Sequence, residues 1–591
     1  MMKWKSGQLG LLVAFCMGII LLAGCQRHDD DTKSTGNYQG TTLAKLPVGV
    51  HNQHTAVSGG HFKYALVSWS PFKGIFNEAF VTDKNDEVIA DPGNEPLFKF
   101  DDNYRIIDGG AANLALNIAA KTVTITINPK VRWSDGQPLI AEDILYSYLL
   151  IANPKSQSQR YTNSLAQIVG MAAYHAGQSD HISGIELPAG AQGNQVVIHY
   201  LAMKPGMTQS GNGYFWEYAS PSHQLRQIAF DQVRNSAAIR ETPLYYGPYQ
   251  VKSVETGQKV VWTPNPYYYG RKPQLATITY NVVSPNSVVQ VMQKHQYDVA
   301  TVADEQFTAL QSDTHTKFIG DKSLSYRYLA FKVGRYKNGK NVMDQHNKLQ
   351  TKALRQAIIY SMNVQQVSRQ YTNGWQFKIN TLIPRAFKQY YNDQAVSYDY
   401  DPAKAARLLD QAGYRKSGKW RVQPNGKPLV LHFAVKRDST HKEEMVQTYL
   451  AEWHKLGLNV KLTSGRLLEA NSFYDKLMND DPDIDFFEAA WDLSTEPSPA
   501  DLYSETASFN LSRFVTKRNN QLLAAIDDVA AFDTTTRVQA FRTWQTYMNQ
   551  AAYVVPTTGS YDVRAVNQRV KGFSLAPTIG WENVSVTSQK R

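Results

Sequence analysis

Cysteine is almost absent. The 591-residue chain has two, Cys16 and Cys25, both within its first 25 positions, so the body carries no disulfide framework and no thiol chemistry. No block of five or more like charges occurs, which excludes the basic stripe of a nucleic-acid binder. H-E-x-x-H and G-x-S-x-G are both missing, and with them two common local hydrolase signatures. The one long apolar run, residues 9–24, is short of the roughly 20 residues that span a bilayer. No repeat of 20–50 residues is visible.

What is present is a folded composition: 42% apolar, 19% charged, with 34 Tyr, 23 Phe and 11 Trp. At this length two or three lobes are expected, each with its own core. The net charge is +11, and Lys3 and Lys5 supply two of it. The modest excess left suits an anionic wall or lipid surface.

Residues 1–24 have the pattern of a secretory signal peptide, a charged start followed by the apolar run. The stretch Leu22-Ala23-Gly24-Cys25 resembles the lipobox of bacterial lipoproteins. That resemblance implies removal of residues 1–24, diacylglycerol on the Cys25 sulfur, and a receptor held by acyl chains at the extracellular face of the cell membrane. Residues 25–60 are polar and rich in Gly, Ser and Thr, as a flexible tether would be.

Along the body, residues 123–127 (VTITI) read as a strand, and VRWSDGQPLIAEDILYSYLL (residues 131–150) as a turn at Asp135-Gly136 followed by a helix. Glu142 and Asp143 sit in its first turn, where the helix dipole favours carboxylates. This stretch resembles the signature of the peptide, oligopeptide and nickel family of extracytoplasmic solute-binding proteins. Ile140 departs from it, because Thr usually caps that helix. Three further segments resemble the family in order: Tyr246-Gly247-Pro248-Tyr249 with PNPYYYG (residues 264–270), ALRQA (353–357) through Asn363, and DPAKAARLLDQAGY (401–414). The last explains itself. Asp401 caps, Pro402 takes the first turn, Ala405, Leu408, Leu409 and Ala412 form one face, and Gly413 ends the helix.

The resemblance implies an α/β fold: a two-lobed, type II periplasmic-binding-protein-like clamp with an inserted domain, built of mixed sheets flanked by helices. Mapped here, lobe I takes residues 61–71, 206–330 and 556–591, the insert 72–205 and lobe II 331–555, with hinge crossings near 330 and 556. It further implies a binding protein and not an enzyme. The expected ligand is an oligopeptide lying as an added strand between the lobes and handed to an ABC transporter permease. A monomer without a cofactor is expected. Val67, Ser68 and Trp69 would offer backbone partners. Trp491 would wall a side-chain pocket, Asp492 would hold the ligand's ammonium with Glu496 or Asp501 as competitors, and Tyr561 would act from lobe I. Dipeptides, nickel chelates and peptide pheromones are alternative ligands on the same fold, and a surface peptidase is the outside alternative.

Two other patterns carry less. Residues 334–341 (GRYKNGKN) fall one residue short of the phosphate loop G-x-x-x-x-G-K-[ST], and Asn341 lacks the hydroxyl that would bind Mg²⁺. His51-x-x-His54 sits in the tether without a third ligand nearby.

Overall fold

The computed structural model describes Leu43 and residues 46–591. The signal segment and Cys25 lie outside the described residues. Two compact units result: unit 1 comprises the described residues up to Met203, with Met207–Asp321 and Val563–Arg591, and unit 2 comprises Lys204–Gly206 and Lys322–Asp562. The chain passes from one to the other inside two strands, Thr316–Phe331 and Val554–Asn567. No helix among the described residues is long and apolar enough to cross a membrane.

Unit 1 is organised on the strand Gly60–Val67 (GHFKYALV), whose inward residues Phe62, Tyr64 and Leu66 are buried. It pairs in parallel with Leu275–Val283 on one side and Val299–Thr301 on the other. Lys259–Pro264 and Tyr249–Glu255 extend the sheet by antiparallel pairing. Tyr64 stacks on Tyr280 at 4.7 Å between centroids, and Phe62, Phe573 and Trp581 close the aromatic core beneath. Residues 72–203 also lie in unit 1 and carry a second, four-stranded antiparallel sheet that contains the expected strand at Thr122–Ile127.

The signature stretch becomes the helix Ala141–Ala152. Ile140 provides no side-chain cap. Asp143, fully buried, takes over: its carboxylate accepts from the Ile140 N–H (3.1 Å), Trp133 Nε1 (2.8 Å), and the Ser222 N–H and hydroxyl (2.8 and 2.6 Å). Desolvation still raises its pKa against those four donors. Trp133 and Asp143 are therefore a structural pair. Gly247 is equally structural, since a Cβ there would meet the Gly93 carbonyl at 2.4 Å. Asn265 holds the same turn by donating to the Gly247 carbonyl (3.0 Å).

Residues 46–57, which the sequence reading places in the tether, are bonded along unit 1. Val50 N–H donates to Phe573 O (2.8 Å), Leu575 N–H to Val48 O (2.9 Å) and Val57 N–H to Val586 O (2.8 Å). The Asn52 amide reaches the Gln568 carbonyl. The composition of a linker here covers a stretch held by isolated β-bridges at Gly49 and Ala56, because main-chain pairing needs no particular side chain.

Unit 2 is built on the mixed strand run Asn459–Leu462, Val430–Val435, Phe486–Asp492, Thr316–Phe331 and Val554–Asn567 in that order, with Gln376–Lys378 added on the last. The helix Pro402–Gln411 forms as expected, with Asp401 accepting from Lys404 N–H (2.7 Å) and Gly413 at φ +84°. Ala405 and Leu409 are fully buried, whereas Leu408 and Ala412 are half-buried. Arg355, from the third motif, donates to the carbonyls of Leu349, Gln350, Ala551 and Ala552 and lies 3.4 Å over the Tyr553 ring. It ties the helix Lys352–Tyr360 to the end of Thr534–Ala551.

Candidate functional site

In unit 1 Val67 ends the central strand, and Ser68 and Trp69 follow it. Alternation decides what each can offer, since successive residues of a strand aim their main-chain groups at opposite neighbours. Ser68 N–H donates to the Val283 carbonyl (3.0 Å), and its hydroxyl accepts from Ser70 N–H (3.2 Å) and Asn85 Nδ2 (2.9 Å). The Ser68 N–H and hydroxyl are thus engaged within the unit. Val67 and Trp69 point the other way, toward Val299–Thr301, but that pairing ends at Ala65–Ala300. Their amides and carbonyls face an edge that no strand of unit 1 completes. Trp69 is 60% exposed, an unusual cost for so large an apolar ring.

Unit 2 repeats the device. Phe486–Asp492 pairs with Val430–Val435 only as far as Glu488–Val435, whereas its antiparallel pairing with Thr316–Phe331 continues to Asp492–Ser325. Leu493 N–H donates to Leu324 O and Lys332 N–H to Asp485 O, so odd-numbered residues face that partner. Ala490 and Asp492 face the edge where pairing has stopped. Asp492 is exposed at the strand end. Trp491 is buried and meets Phe509 edge-on at 5.6 Å, as core packing or a pocket wall.

The competitors of Asp492 fare differently. Glu496 is neutralised by the buried Arg537 guanidinium (2.5 Å) and accepts from Ser498 N–H (3.0 Å). Asp501 is exposed on the short helix Ala500–Tyr503. Tyr561 falls in unit 2 rather than in lobe I: its strand pairs with Gln376–Lys378, its N–H donates to Trp375 O (3.1 Å), and its ring packs on Phe377 at 4.7 Å.

Sequence reasoning misses the cations under Asp492. Arg327 bridges Asp438 (2.7 Å) and Glu488 (3.2 Å), and buried Lys442 also holds Glu488. Burial pulls the Lys436 ammonium below the usual lysine range, opposed by the attraction of Asp438 and Asp492. These residues are far apart in the chain, and only the sheet order of unit 2 gathers them.

The other two patterns resolve structurally. The near-phosphate loop is the hairpin Gly334–Lys337 with Lys340–Met343, turning through Asn338 and Gly339 at positive φ. Asn341 is buried and donates to the carbonyls of Ser504, Glu505 and Ala507. A hairpin has no helix N-terminus to receive phosphate. His54 accepts from Lys571 through its carbonyl, and neither His51 nor His54 joins a ligand cluster among the described residues.

The profile of the bacterial extracellular solute-binding proteins, family 5, matches residues 111–511. The chain belongs to this family. The oligopeptide-binding protein OppA of Lactococcus lactis subsp. cremoris (strain SK11) is 35% identical over 582 residues, which cover 96% of each chain. Among solved structures, lactococcal OppA, complexed with an endogenous peptide in the closed conformation, is 35% identical with a TM-score of 0.73. It covers 89% of this chain and 100% of its own. AppA from Bacillus subtilis, solved with a nonapeptide, shares the fold at 16% identity and TM-score 0.64, covering 90% of this chain and 100% of its own. The fold class is the type II periplasmic-binding-protein-like one expected from the four motifs. Ile140, the departure from the family's signature stretch, is accommodated in this scaffold by Asp143.

Proposed function

We propose that this family-5 protein is the oligopeptide receptor of an ABC importer. The observation that carries the peptide reading is the pair of strand ends with open edges, Val67 and Trp69 in unit 1 and Ala490 and Asp492 in unit 2. An extended peptide is the ligand that completes such edges. Its N–H and C=O groups supply the missing partners whatever its sequence, and hydrated pockets accept its side chains. The kinship with lactococcal OppA supports the same reading.

On this reading Asp492 receives the ligand's N-terminal ammonium in a charge-assisted hydrogen bond, with Trp491 and Tyr561 walling side-chain space. Residues 1–24 are removed as a signal peptide, Cys25 carries the lipid that holds the receptor at the extracellular face of the membrane, and a permease takes the peptide from it. The receptor works as a monomer and leaves the peptide intact.

Titration calorimetry with one peptide, free or acetylated at its N-terminus, tests the assignment. Asp492→Ala weakens the free peptide about 10- to 100-fold, the worth of a charged hydrogen bond, and barely changes the acetylated one. Equal losses for both remove Asp492 from the role. A ligand-stripped protein that ignores a broad peptide mixture overturns the receptor reading itself.

A further inference from the structure

Well away in sequence from the strand ends just described, unit 1 gathers His295, Asp313 and His315 so that one potential ligand atom from each lies within 4.8 Å of the others. We infer that these three residues form a binding site for a divalent transition-metal ion of the zinc class.

The geometry is specific. His295 Nδ1 stands 3.9 Å from Asp313 Oδ2 and His315 Nδ1 stands 3.7 Å from Asp313 Oδ1, with the two imidazoles 4.5 Å apart between centroids. Those separations are too long for hydrogen bonds. The two rings thus approach the two oxygens of one carboxylate, and an ion about 2.0–2.2 Å from each donor would draw the three side chains inward. His295 Nδ1 is buried and has no hydrogen-bond partner. A buried orphan nitrogen is costly, and a metal bond is one way to satisfy it.

Each ligand is positioned from behind. His295 follows the helix Val288–Gln293 at φ +54°, with its N–H donating to Met292 O (2.8 Å). That left-handed position after a helix favours Gly, yet it holds an imidazole. Asp313 accepts from His315 N–H (3.0 Å) and from the Thr316 hydroxyl (2.7 Å), which fixes its carboxylate while leaving lone pairs toward the rings. The His315 carbonyl accepts from Gln568 N–H (2.7 Å), anchoring that residue from the other side.

The donor set, two imidazoles and a carboxylate, suits zinc and its neighbours better than Mg²⁺ or Ca²⁺, which prefer oxygen. Three protein ligands leave a fourth position for water. Metal there would clip the end of the helix Val288–Gln293 to the turn that opens Thr316–Phe331, the strand by which the chain leaves unit 1. The ion would therefore hold the base of that strand, a role separate from taking up peptide.

The test is equilibrium dialysis of the chelator-stripped protein against Zn²⁺, with X-ray absorption on the loaded sample. The chain has 14 histidines, so variants decide the location. His295→Asn, which tolerates the left-handed backbone, and His315→Ala should each weaken Zn²⁺ uptake about 100-fold, the upper end of what disturbing a metal's surroundings costs. Excess Mg²⁺ should not compete, and absorption should show two imidazoles with an oxygen shell. Metal-free melting curves that match the parent exclude misfolding as the cause, and Zn²⁺ should raise Tm in the parent alone. If the parent shows no saturable uptake, or both variants bind like the parent, the site is wrong.

Discussion

The two units differ in what faces the buried carboxylates whose pKa values move most. In unit 1 four buried acids rely mainly on neutral donors, whereas Asp298 pairs with Arg569 and Arg591 and Glu142 with Arg226. Glu217 accepts from the Ser210 hydroxyl (2.7 Å) and Gly211 N–H, Glu95 from the Tyr269 hydroxyl, and Asp86 from the Lys73 and Gly74 N–H groups. Desolvation wins at each, lifting Glu217 and Glu95 to about 7 and Asp86 to about 6. Glu78 reaches about 7 as well, for the same reason, even with Arg160 at 3.8 Å. In unit 2 the corresponding acids face cations. Desolvation of Asp438 is outweighed by Lys442 and Arg327, and that of Asp480 by Lys332, so both fall below the usual range. Asp527, raised to about 6 by burial and by Glu496, is the exception. A hydrogen bond from a neutral donor is thus a weaker defence of a buried charge than a guanidinium or ammonium.

The contrast breaks most visibly at Arg327. Arg327→Met leaves Glu488 and Asp438 short of a partner and should cost about 3–5 kcal/mol in urea unfolding, as expected when one member of a buried ionic network is removed. A loss within about 1 kcal/mol, typical of surface pairs, would show that unit 2 does not depend on its cations.

Unit 1 should respond to pH with the opposite sign. The folded pKa of Glu217 lies above its unfolded value of 4.5. Between 4.5 and about 7 the unfolded chain therefore releases a proton that the folded chain keeps, and stability falls as pH rises through that window. The size is about 3 kcal/mol for this residue. Melting at about pH 5 should exceed melting at about pH 7.5, and Glu217→Gln should narrow the gap. An unchanged gap would assign it to other groups. Asp438 and Asp480 have depressed folded pKa values, so their contribution is present above the unfolded value of 3.8 and is lost only as pH falls below it.

Asp143→Asn sharpens the comparison further, because an amide cannot accept from all four donors. About 2 kcal/mol should be lost, and a neutral result would mean that the proton already sits on Asp143 in the parent. The smallest effect belongs to the exposed end of a helix: Asp401→Ala removes one cap and should cost about 1 kcal/mol by chemical denaturation.

What was legible in the sequence is what side chains dictate. Asp401, Pro402 and Gly413 state a helix and its ends, residues 123–127 state a strand, and four ordered motifs identify the fold. Those same motifs turn out to be scaffolding. Trp133 and Asp143 hold each other, Gly247 makes room for Gly93, and Arg355 collects four carbonyls. The candidate site was less legible because it is built largely of main chain. Which of Val67, Ser68 and Trp69 presents its amide outward depends on strand parity, and parity assigns Ser68 to Val283. The crossing near 562 likewise moved Tyr561 into unit 2 through its pairing with Gln376–Lys378. His295 and His315 carry no spacing motif, being joined only by a helix end and a turn.

The bonding of residues 46–57 to the final segment of the chain has a mechanical side. Tension arriving from the N-terminus would not tug on a loose thread. It would be shared among successive rungs at Val48, Val50 and Val57 and delivered beneath Phe573 and Val586, into the aromatic core of unit 1.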